Sequence, residues 1–254
     1  INKYDKSYYG DATSLVTDRE YDKLFNELLQ LEKDFPDLVT VDSPTQRVGG
    51  YVSNGFNQVI HQVPMLSLSN TYSRQEVEDF ISRVKKEIIS DKIDFCCELK
   101  IDGVAISLKY KNGKFIQGAT RGDGFMGDDI TQNLRTIKSI PLAVEISEFE
   151  FSDFEVRGEA YMNISDFDNI NQQRKIDGEK LYANPRNTTA GSLKLLDSKE
   201  TAKRKINFFA YYLNIGNNSL NAHNNGLELL NILGFAINPA YKVCINIDEI
   251  FEFI

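Results

Sequence analysis

The chain has 254 residues, enough for two unequal domains, and its 41% apolar and 26% charged residues are ordinary for a globular protein with a substantial core. Because 37 acidic residues outnumber 29 basic ones, the surface as a whole is not suited to clamping nucleic-acid phosphates. The apolar runs are too short to span a membrane and no signal peptide opens the sequence, so we expect a cytoplasmic protein without a membrane partner.

The sequence predicts no metal site of its own. Three cysteines include the adjacent pair Cys96-Cys97 but no Cys-x-x-Cys, which excludes a disulfide framework and a zinc module. His61 and His223 also lack the spacing of metal ligands. Reduced cysteines of this kind are typical of the cytoplasm.

The N-terminal part has a helical pattern. Residues 17–20, Thr-Asp-Arg-Glu, match a capping box, and apolar residues then recur at helical spacing as far as residue 35. Residues 37–56 contain a proline and a Gly-Gly pair with no period, which is typical of a linker. We therefore predict a small helical domain over residues 1–56. A second domain, residues 57–254, has another capping box at residues 73–76.

From residue 95 onward the pattern is dominated by short β-prone segments. Asn112-Gly113 between two of them predicts a hairpin. Along residues 154–162 apolar residues alternate with Glu155, Arg157 and Glu159, which predicts one buried face and one charged face. Another strand is predicted at residues 206–213, and a late helix should end at Gly234. Hairpins mixed with helices favour an α+β fold with antiparallel sheets.

Residues 97–103, Cys-Glu-Leu-Lys-Ile-Asp-Gly, are the most informative segment. Lys100 follows a strand, and Asp102-Gly103 turns the chain away. Glu98 lies two residues earlier and projects to the same side as Lys100. Taken alone, this pattern also fits a surface lysine beside a turn.

Three further residues give Lys100 a possible chemistry. Arg121, Glu159 and Tyr211 would supply a cation for a phosphate, a carboxylate for a ribose or metal, and an aromatic surface for a base. Together with an amine nucleophile they suit nucleotidyl transfer. Individually, each also fits a structural role. Arg121 could pair with Asp123, Glu159 could be a solvated strand residue, and Tyr211 could belong to the core.

A glycine-rich segment offers a competing interpretation. Residues 122–127 match Gly-x-Gly-x-x-Gly, the fingerprint of dinucleotide-binding Rossmann folds. Here it follows the second arm of a hairpin rather than the first strand of a βαβ unit, and Asp128-Asp129 would oppose a pyrophosphate. We therefore reject a Rossmann dehydrogenase.

In its motifs and their order, the sequence resembles the adenylation region of bacterial NAD-dependent DNA ligases along essentially its whole length. The matching segments are residues 18–22 (DREYD), 42–50 (DSPTQRVGG), 64–68 (PMLSL), 97–103 (CELKIDG), 119–124 (ATRGDG), 156–159 (VRGE), 183–187 (ANPRN) and 208–211 (FFAY).

The resemblance implies an α+β nucleotidyltransferase domain, ATP-grasp-like, preceded by a small helical domain. It implies that Lys100 attacks the adenylyl phosphate of NAD⁺ to form a Lys-AMP phosphoramidate and release nicotinamide mononucleotide. A free lysine amine has a pKa of about 10.4, so the site must favour the neutral amine by desolvation or a nearby cation such as Mg²⁺. The implied cofactors are therefore NAD⁺ and Mg²⁺.

The same resemblance implies roles for the other candidate residues. Asp102 is the motif aspartate needed for activity, and Arg186 is linked to later, DNA-dependent steps. Contacts with the adenylate are implied for Glu98, Arg121, Glu159, Tyr211, Ser67 and Leu68. The N-terminal domain is expected to bind the nicotinamide half through Tyr8, Tyr9, Asp18, Tyr21 and Asp22.

The resemblance also implies that parts of the family are missing here. We expect an N-terminally clipped first domain, a C-terminally incomplete second domain, and no zinc-binding module, so that zinc belongs only to absent modules. The complete enzyme would seal nicked duplex DNA, whereas this acidic, monomeric fragment would bind DNA weakly. Two alternatives stay open: an ATP- or GTP-dependent ligase or capping-type transferase, and a nucleotide-binding fragment without activity.

Overall fold

The computed structural model describes residues 1–5, 15–40, 42–45, 55–88, 92–216, 220 and 222–254. Its strands are β1 (Gln58–Ile60), β2 (Phe95–Glu98), β3 (Val104–Lys111), β4 (Lys114–Thr120), β5 (Met126–Asp128), β6 (Phe154–Tyr161), β7 (Asn207–Asn214) and β8 (Tyr241–Cys244). Its helices are α1 (Asn2–Asp5), α2 (Asp18–Asp34), α3 (Arg74–Glu87), α4 (Thr131–Leu134), α5 (Ile164–Ile176), α6 (Pro185–Leu193), α7 (Ser198–Ala202), α8 (His223–Ile232) and α9 (Ile247–Phe253), with a 3-10 turn at Pro36–Leu38.

Both predicted capping boxes are confirmed. At the start of α2 the Thr17 hydroxyl accepts the N–H of Glu20, and the Glu20 carboxylate accepts the N–H of Thr17. Ser73 and Glu76 make the same reciprocal pair before α3. These bonds satisfy N–H groups that a helix start otherwise leaves open. Among the described residues, no helix combines the length and apolar character needed to cross a bilayer.

Residues 104–214 contain a four-stranded sheet in the order β4-β3-β6-β7, with every neighbouring pair antiparallel. Two small antiparallel sheets, β1-β5 and β2-β8, lie beside it. Large side chains of this sheet and of the flanking helices form one buried core, including Ile106, Leu108, Phe115, Val156, Phe208, Leu227 and Leu230. The predicted α+β fold with antiparallel sheets is confirmed.

The hairpin and the late helix also form as predicted. Asn112 and Gly113 connect β3 to β4 with φ angles of 49° and 70°, the left-handed pair that a two-residue turn requires. Helix α8 ends just before Gly234, whose φ of 90° suits a helix C-terminus. The glycine-rich segment 122–127 is a turn into strand β5 and not into a helix, so the rejection of a Rossmann unit is confirmed.

The prediction for the charged face of β6 is wrong. Glu155, Arg157 and Glu159 are buried, with relative exposures of 5%, 8% and 9%. Strand β6 is bonded on both edges by β3 and β7, and residues 63–64 cover the expected open face. The sequence pattern is that of a half-exposed strand because the covering segment is remote in sequence.

Arg157 holds the covering segment in place. Its Nη1 donates to the carbonyl oxygen of Pro64 at 3.0 Å, Nη2 donates to the carbonyl oxygen of Val63, and Nε donates to the Glu155 carboxylate at 2.7 Å. The hydroxyl of Ser107 donates to the same carboxylate at 2.7 Å. This buried network attaches residues 63–64 to the charged face of β6.

Replacing Arg157 should therefore be costly. Arg157→Met leaves Glu155 buried without its cation, and we expect the free energy of unfolding to fall by about 3–5 kcal/mol, the typical cost of breaking a buried pair. Urea unfolding followed by circular dichroism measures the change. Lys203→Met, which removes an exposed ion pair with Glu200, is the control and should leave the unfolding midpoint almost unchanged. Equal effects of the two substitutions would contradict the role given to Arg157.

Candidate active site

A cleft of about 940 Å³ lies against the main sheet and is lined by residues of all four of its strands. Its walls come from the segment after β1, the β2–β3 loop, the end of β4, strands β6 and β7, and helix α6. The structure brings eight of the predicted site residues into its lining: Ser67, Leu68, Glu98, Lys100, Arg121, Glu159, Arg186 and Tyr211.

Lys100 lies in the loop between β2 and β3, with its side chain exposed to the cleft. The loop is fixed just before the lysine, because the N–H of Leu99 donates to the carbonyl of Ala240 at 3.4 Å and the Asn238 amide donates to the carbonyl of Leu99 at 3.1 Å. After the lysine, Gly103 runs against β6. A Cβ at Gly103 would lie 2.2 Å from the carbonyl oxygen of Ala160, so only glycine allows this approach.

Glu159 is the buried carboxylate of the cleft. It accepts the N–H of Gly103, and it lies close enough to Lys100 and Arg186 to be attracted by both charges. Burial raises the pKa of Glu159, while Lys100, the Gly103 hydrogen bond and Arg186 oppose that rise. A carboxylate in this position can accept hydroxyl donors or share a metal ion.

Tyr211 supplies an aromatic wall. Burial, reinforced by the charge of Glu159, raises the pKa of the Tyr211 phenol to about 12. The ring is therefore uncharged at neutral pH, and it shares the cleft with Lys100. Such a surface is suited to stacking against a base.

Two arginines lie at the mouth of the cleft. Arg121 follows β4, its N–H donates to the carbonyl of Ala105 at 3.1 Å, and its Nη1 lies 3.5 Å from the Ser67 hydroxyl. Arg186 lies in the first turn of α6 and makes a 2.8 Å ion pair with Asp102. The structural alternative for Arg121, an ion pair with Asp123, is not found among the described contacts. Instead, the Asp123 carboxylate accepts the N–H groups of residues 125 and 126.

Residues 65–68 form the roof of the cleft, which we call the strap. It is anchored by Arg157 at residues 63–64, by the buried side chain of Met65, and by a 2.8 Å hydrogen bond from the N–H of Met65 to the carbonyl of Gly124. Beyond that anchor, Leu66 and Leu68 are 75% and 80% exposed. The strap thus offers apolar surface to whatever enters the cleft.

Sequence reasoning assigned no site role to three residues that line the cleft. Arg157 was assigned to a solvated face. His223, the first residue of α8, lies with its Nε2 2.6 Å from Glu98 Oε1. Lys194, at the end of α6, makes a 2.5 Å ion pair with Asp128. Arg157 could have been found from its place two residues before Glu159, since both side chains lie on the same face of β6. The positions of His223 and Lys194 depend on contacts with Glu98 and Asp128, which are remote in sequence.

The predicted nicotinamide-binding residues are not brought to this cleft by the described structure. Tyr8 and Tyr9 lie outside the described residues. Asp18 and Asp22 belong to helix α2, of which only the backbone is described at those positions. Tyr21 is on the same helix, where its ring stacks on Phe25 with centroids 6.3 Å apart, and it is not among the residues that line the cleft.

Comparison with known proteins gives the same family as the motifs. Residues 53–254 match the family described as NAD-dependent DNA ligase adenylation domain, and residues 1–49 match that described as DNA ligase-like, N-terminal NAD⁺-binding domain. The resemblance inferred from the sequence is confirmed.

Curated relatives named DNA ligase include those of Petrotoga mobilis, 49% identical over 254 residues, and Caldicellulosiruptor bescii, 47% identical over 252 residues. The protein of Clostridioides difficile is 46% identical over 255 residues. At least 99% of this chain is aligned in each case, against 37% of each relative, so the chain spans little more than a third of their length. Because the family match covers residues 53–254, most of its length, the chain belongs to the NAD-dependent DNA ligase adenylation domain family.

Proposed function

We propose that this chain carries out the self-adenylylation step of an NAD-dependent DNA ligase. The neutral amine of Lys100 attacks the adenylyl phosphorus of NAD⁺, a P–N bond forms, and the P–O bond to nicotinamide mononucleotide breaks. The amine proton passes to solvent. The observation that carries this proposal is that Lys100, Arg121, Glu159 and Tyr211 line one cleft.

Each of these side chains has a task suited to its chemistry. We assign Tyr211 to stacking on adenine and Glu98 to a polar contact with the same base. Glu159 accepts ribose hydroxyls beside the nucleophile. Arg121, with Ser67 and Leu68 of the strap, holds the phosphate side, because a guanidinium donates two parallel hydrogen bonds to phosphate oxygens. Positioning and charge neutralisation then supply most of the catalysis.

Asp102 and Arg186 form a pair that can open. Both side chains are exposed, with relative exposures of 75% and 52%, so their ion pair is screened and easily exchanged. We propose that Asp102 keeps Arg186 near the cleft mouth during adenylylation and that Arg186 is then available to later substrates. In the whole ligase, that substrate would be the 5′-phosphate of nicked DNA.

Mg²⁺ would fit this site if the protein and the substrate phosphates both supplied its ligands. It prefers oxygen ligands and is commonly bound through one or two carboxylates together with substrate phosphates and water. Glu159 is a buried carboxylate in the cleft and is the residue that would hold it. When bound, Mg²⁺ would neutralise charge on the phosphates.

The rest of the proposal concerns the two domains. We propose that residues 1–56 bind the nicotinamide half through Tyr8, Tyr9, Asp18, Tyr21 and Asp22, while residues 57–254 bind and transfer the adenylate. The match of residues 1–49 to an NAD⁺-binding domain disfavours ATP or GTP as the donor. A cytoplasmic location, a monomeric state and weak DNA binding by this acidic chain belong to the same proposal.

Mass spectrometry of the intact protein tests the reaction directly. After incubation with NAD⁺ and Mg²⁺ we expect a gain of one AMP, because a single amine lies at the reacting position. Lys100→Ala should abolish the gain, whereas Lys111→Ala, an exposed lysine on β3, should retain it. A gain from ATP but not from NAD⁺, or a gain that survives Lys100→Ala, would contradict the proposal.

Substitutions at Tyr211 separate stacking from hydrogen bonding. If the ring stacks on adenine, Tyr211→Phe should bind AMP nearly as well as the parent, while Tyr211→Ala should lose about 1–3 kcal/mol of binding free energy. Isothermal titration calorimetry with AMP measures both. An equal loss in Tyr211→Phe would show that the hydroxyl, and not the ring, makes the contact.

Ionised Glu159 should lower the stability of the fold at neutral pH and raise the rate of adenylylation. Its folded-state pKa is raised by burial, so the stability it contributes is present below the pKa of an unfolded glutamate and is lost as pH rises through the folded-state value. Glu159→Gln cannot ionise. It should match or exceed the parent in stability at neutral pH, by a margin that shrinks in acid, while the rate of adenylylation falls by about a hundredfold.

Urea unfolding across the pH range and the rate of AMP transfer measure the two effects. Glu228→Gln, an exposed residue of α8, is the control and should alter neither. A Glu159→Gln protein that is less stable at neutral pH, or that transfers AMP at the parent rate, would overturn this account of Glu159.

A further inference from the structure

One cluster at the edge of the cleft has a composition that adenylate binding does not require. A ligand atom each from Cys96, Glu98 and His223 all lie within 4.8 Å of one another. Within the described residues this is the one group of three or more such side chains close enough to hold a metal ion. His223 and Glu98 already touch, at 2.6 Å.

Two separate elements build the cluster. Cys96 and Glu98 are two residues apart on β2, so they lie on the same face of the strand. Pairing with β8, with Cys96 opposite Val243 and Glu98 opposite Tyr241, fixes their direction. His223 begins α8, a helix held in the core by residues such as the fully buried Leu230. The three side chains therefore converge from fixed backbones.

The donor set selects a class of metal. A thiolate, an imidazole and a carboxylate suit borderline ions such as Zn²⁺ rather than Mg²⁺ or Ca²⁺, which prefer oxygen ligands alone. Zinc bonds of about 2.0–2.3 Å place neighbouring ligand atoms roughly 3.3–3.7 Å apart. His223 Nε2 and Glu98 Oε1 are 2.6 Å apart, and no two of the three ligand atoms are more than 4.8 Å apart. Only small movements are therefore needed to reach the zinc-bound spacing. The side chains of His223 and Glu98 are partly exposed and can rotate to reach it.

We propose that Cys96, Glu98 and His223 form a three-ligand Zn²⁺ site with a fourth position open to water. On binding, the Cys96 thiol releases its proton to solvent, and the hydrogen bond between His223 and Glu98 is replaced by two bonds to the metal. Sequence spacing predicted no metal site, because Cys96 and His223 are remote in sequence and meet only when β2 and α8 pack together.

The site has a consequence for the cleft. Glu98 and His223 line the cleft as well as the cluster, so a bound metal would occupy the carboxylate that we assign to adenine. Zn²⁺ should then compete with NAD⁺ for this side of the cleft. This consequence rests on the proposed function, whereas metal binding itself does not.

Titration with Co²⁺, a spectroscopic substitute for Zn²⁺, tests the site in the absence of nucleotide. We expect one equivalent to bind with a thiolate-to-cobalt charge-transfer band, and added Zn²⁺ to displace it. Cys96→Val should remove the band, and His223→Gln should weaken binding at least about tenfold, since loss of even an outer-sphere partner costs that much. Cys97→Val is the matched control, because Cys97 is the neighbouring thiol on the other face of β2 and should leave binding unchanged.

The outcomes separate this site from the proposed function. A charge-transfer band that is lost in Cys97→Val and kept in Cys96→Val, or the absence of any band, would overturn the zinc site. If AMP transfer is measured in parallel, Zn²⁺ should raise the KM for NAD⁺ in the parent and in Cys97→Val, but not in Cys96→Val. Cobalt binding in a protein that transfers no AMP would leave the metal site standing and would reject the adenylylation proposal.

Discussion

The candidate site depends on how closely the lysine loop approaches strand β6. The N–H of Gly103 donates to Glu159, and the absence of a side chain at Gly103 allows its backbone to lie against the carbonyl of Ala160. This contact brings Lys100 beside a carboxylate that is otherwise removed from water. Burial disfavours the ionised form of Glu159, and the nearby cations Lys100 and Arg186 partly offset that cost. The amine and the carboxylate are therefore electrostatically coupled before any substrate is present.

Three further attachments complete the cleft, and each holds a loop at its border: one to strand β6, one to the segment before β8 and one to helix α6. Arg157 fixes the segment leading into the strap, Asn238 fixes the residue before Lys100, and Asp102 holds Arg186. They differ in strength for a physical reason. The bonds of Arg157 are buried and resist exchange, whereas the pair of Asp102 with Arg186 is exposed and screened by solvent. The segment leading into the strap is thus held more firmly than the ion pair at the mouth of the cleft.

Local patterns predicted the local structure well. The capping boxes before α2 and α3 and the Asn112-Gly113 turn depend on residues within a few positions of one another, and all of them form as expected. Eight of the site residues predicted from the motifs line one cleft, because a motif carries the spatial grouping of its family. The wrong prediction at β6 comes from a contact that is remote in sequence, since burial of Arg157 depends on residues 63–64, more than ninety positions earlier. The contact between His223 and Glu98 spans 125 positions and left no local signal.

The charges inside the cleft differ from the acidic balance of the whole chain. Although the net charge of the chain is −8, the lining contains five cations, namely Lys100, Arg121, Arg157, Arg186 and Lys194, and two carboxylates, Glu98 and Glu159. Three of the cations are engaged in ion pairs, with Glu155, Asp102 and Asp128. Within the described part of the chain, Lys100 and Arg121 are the lining cations without an ion pair. An anion entering the cleft therefore meets two cations that no ion pair holds, one at the proposed nucleophile and one at the proposed phosphate contact. Because the rest of the chain is acidic, the attraction for an anion is confined to the cleft.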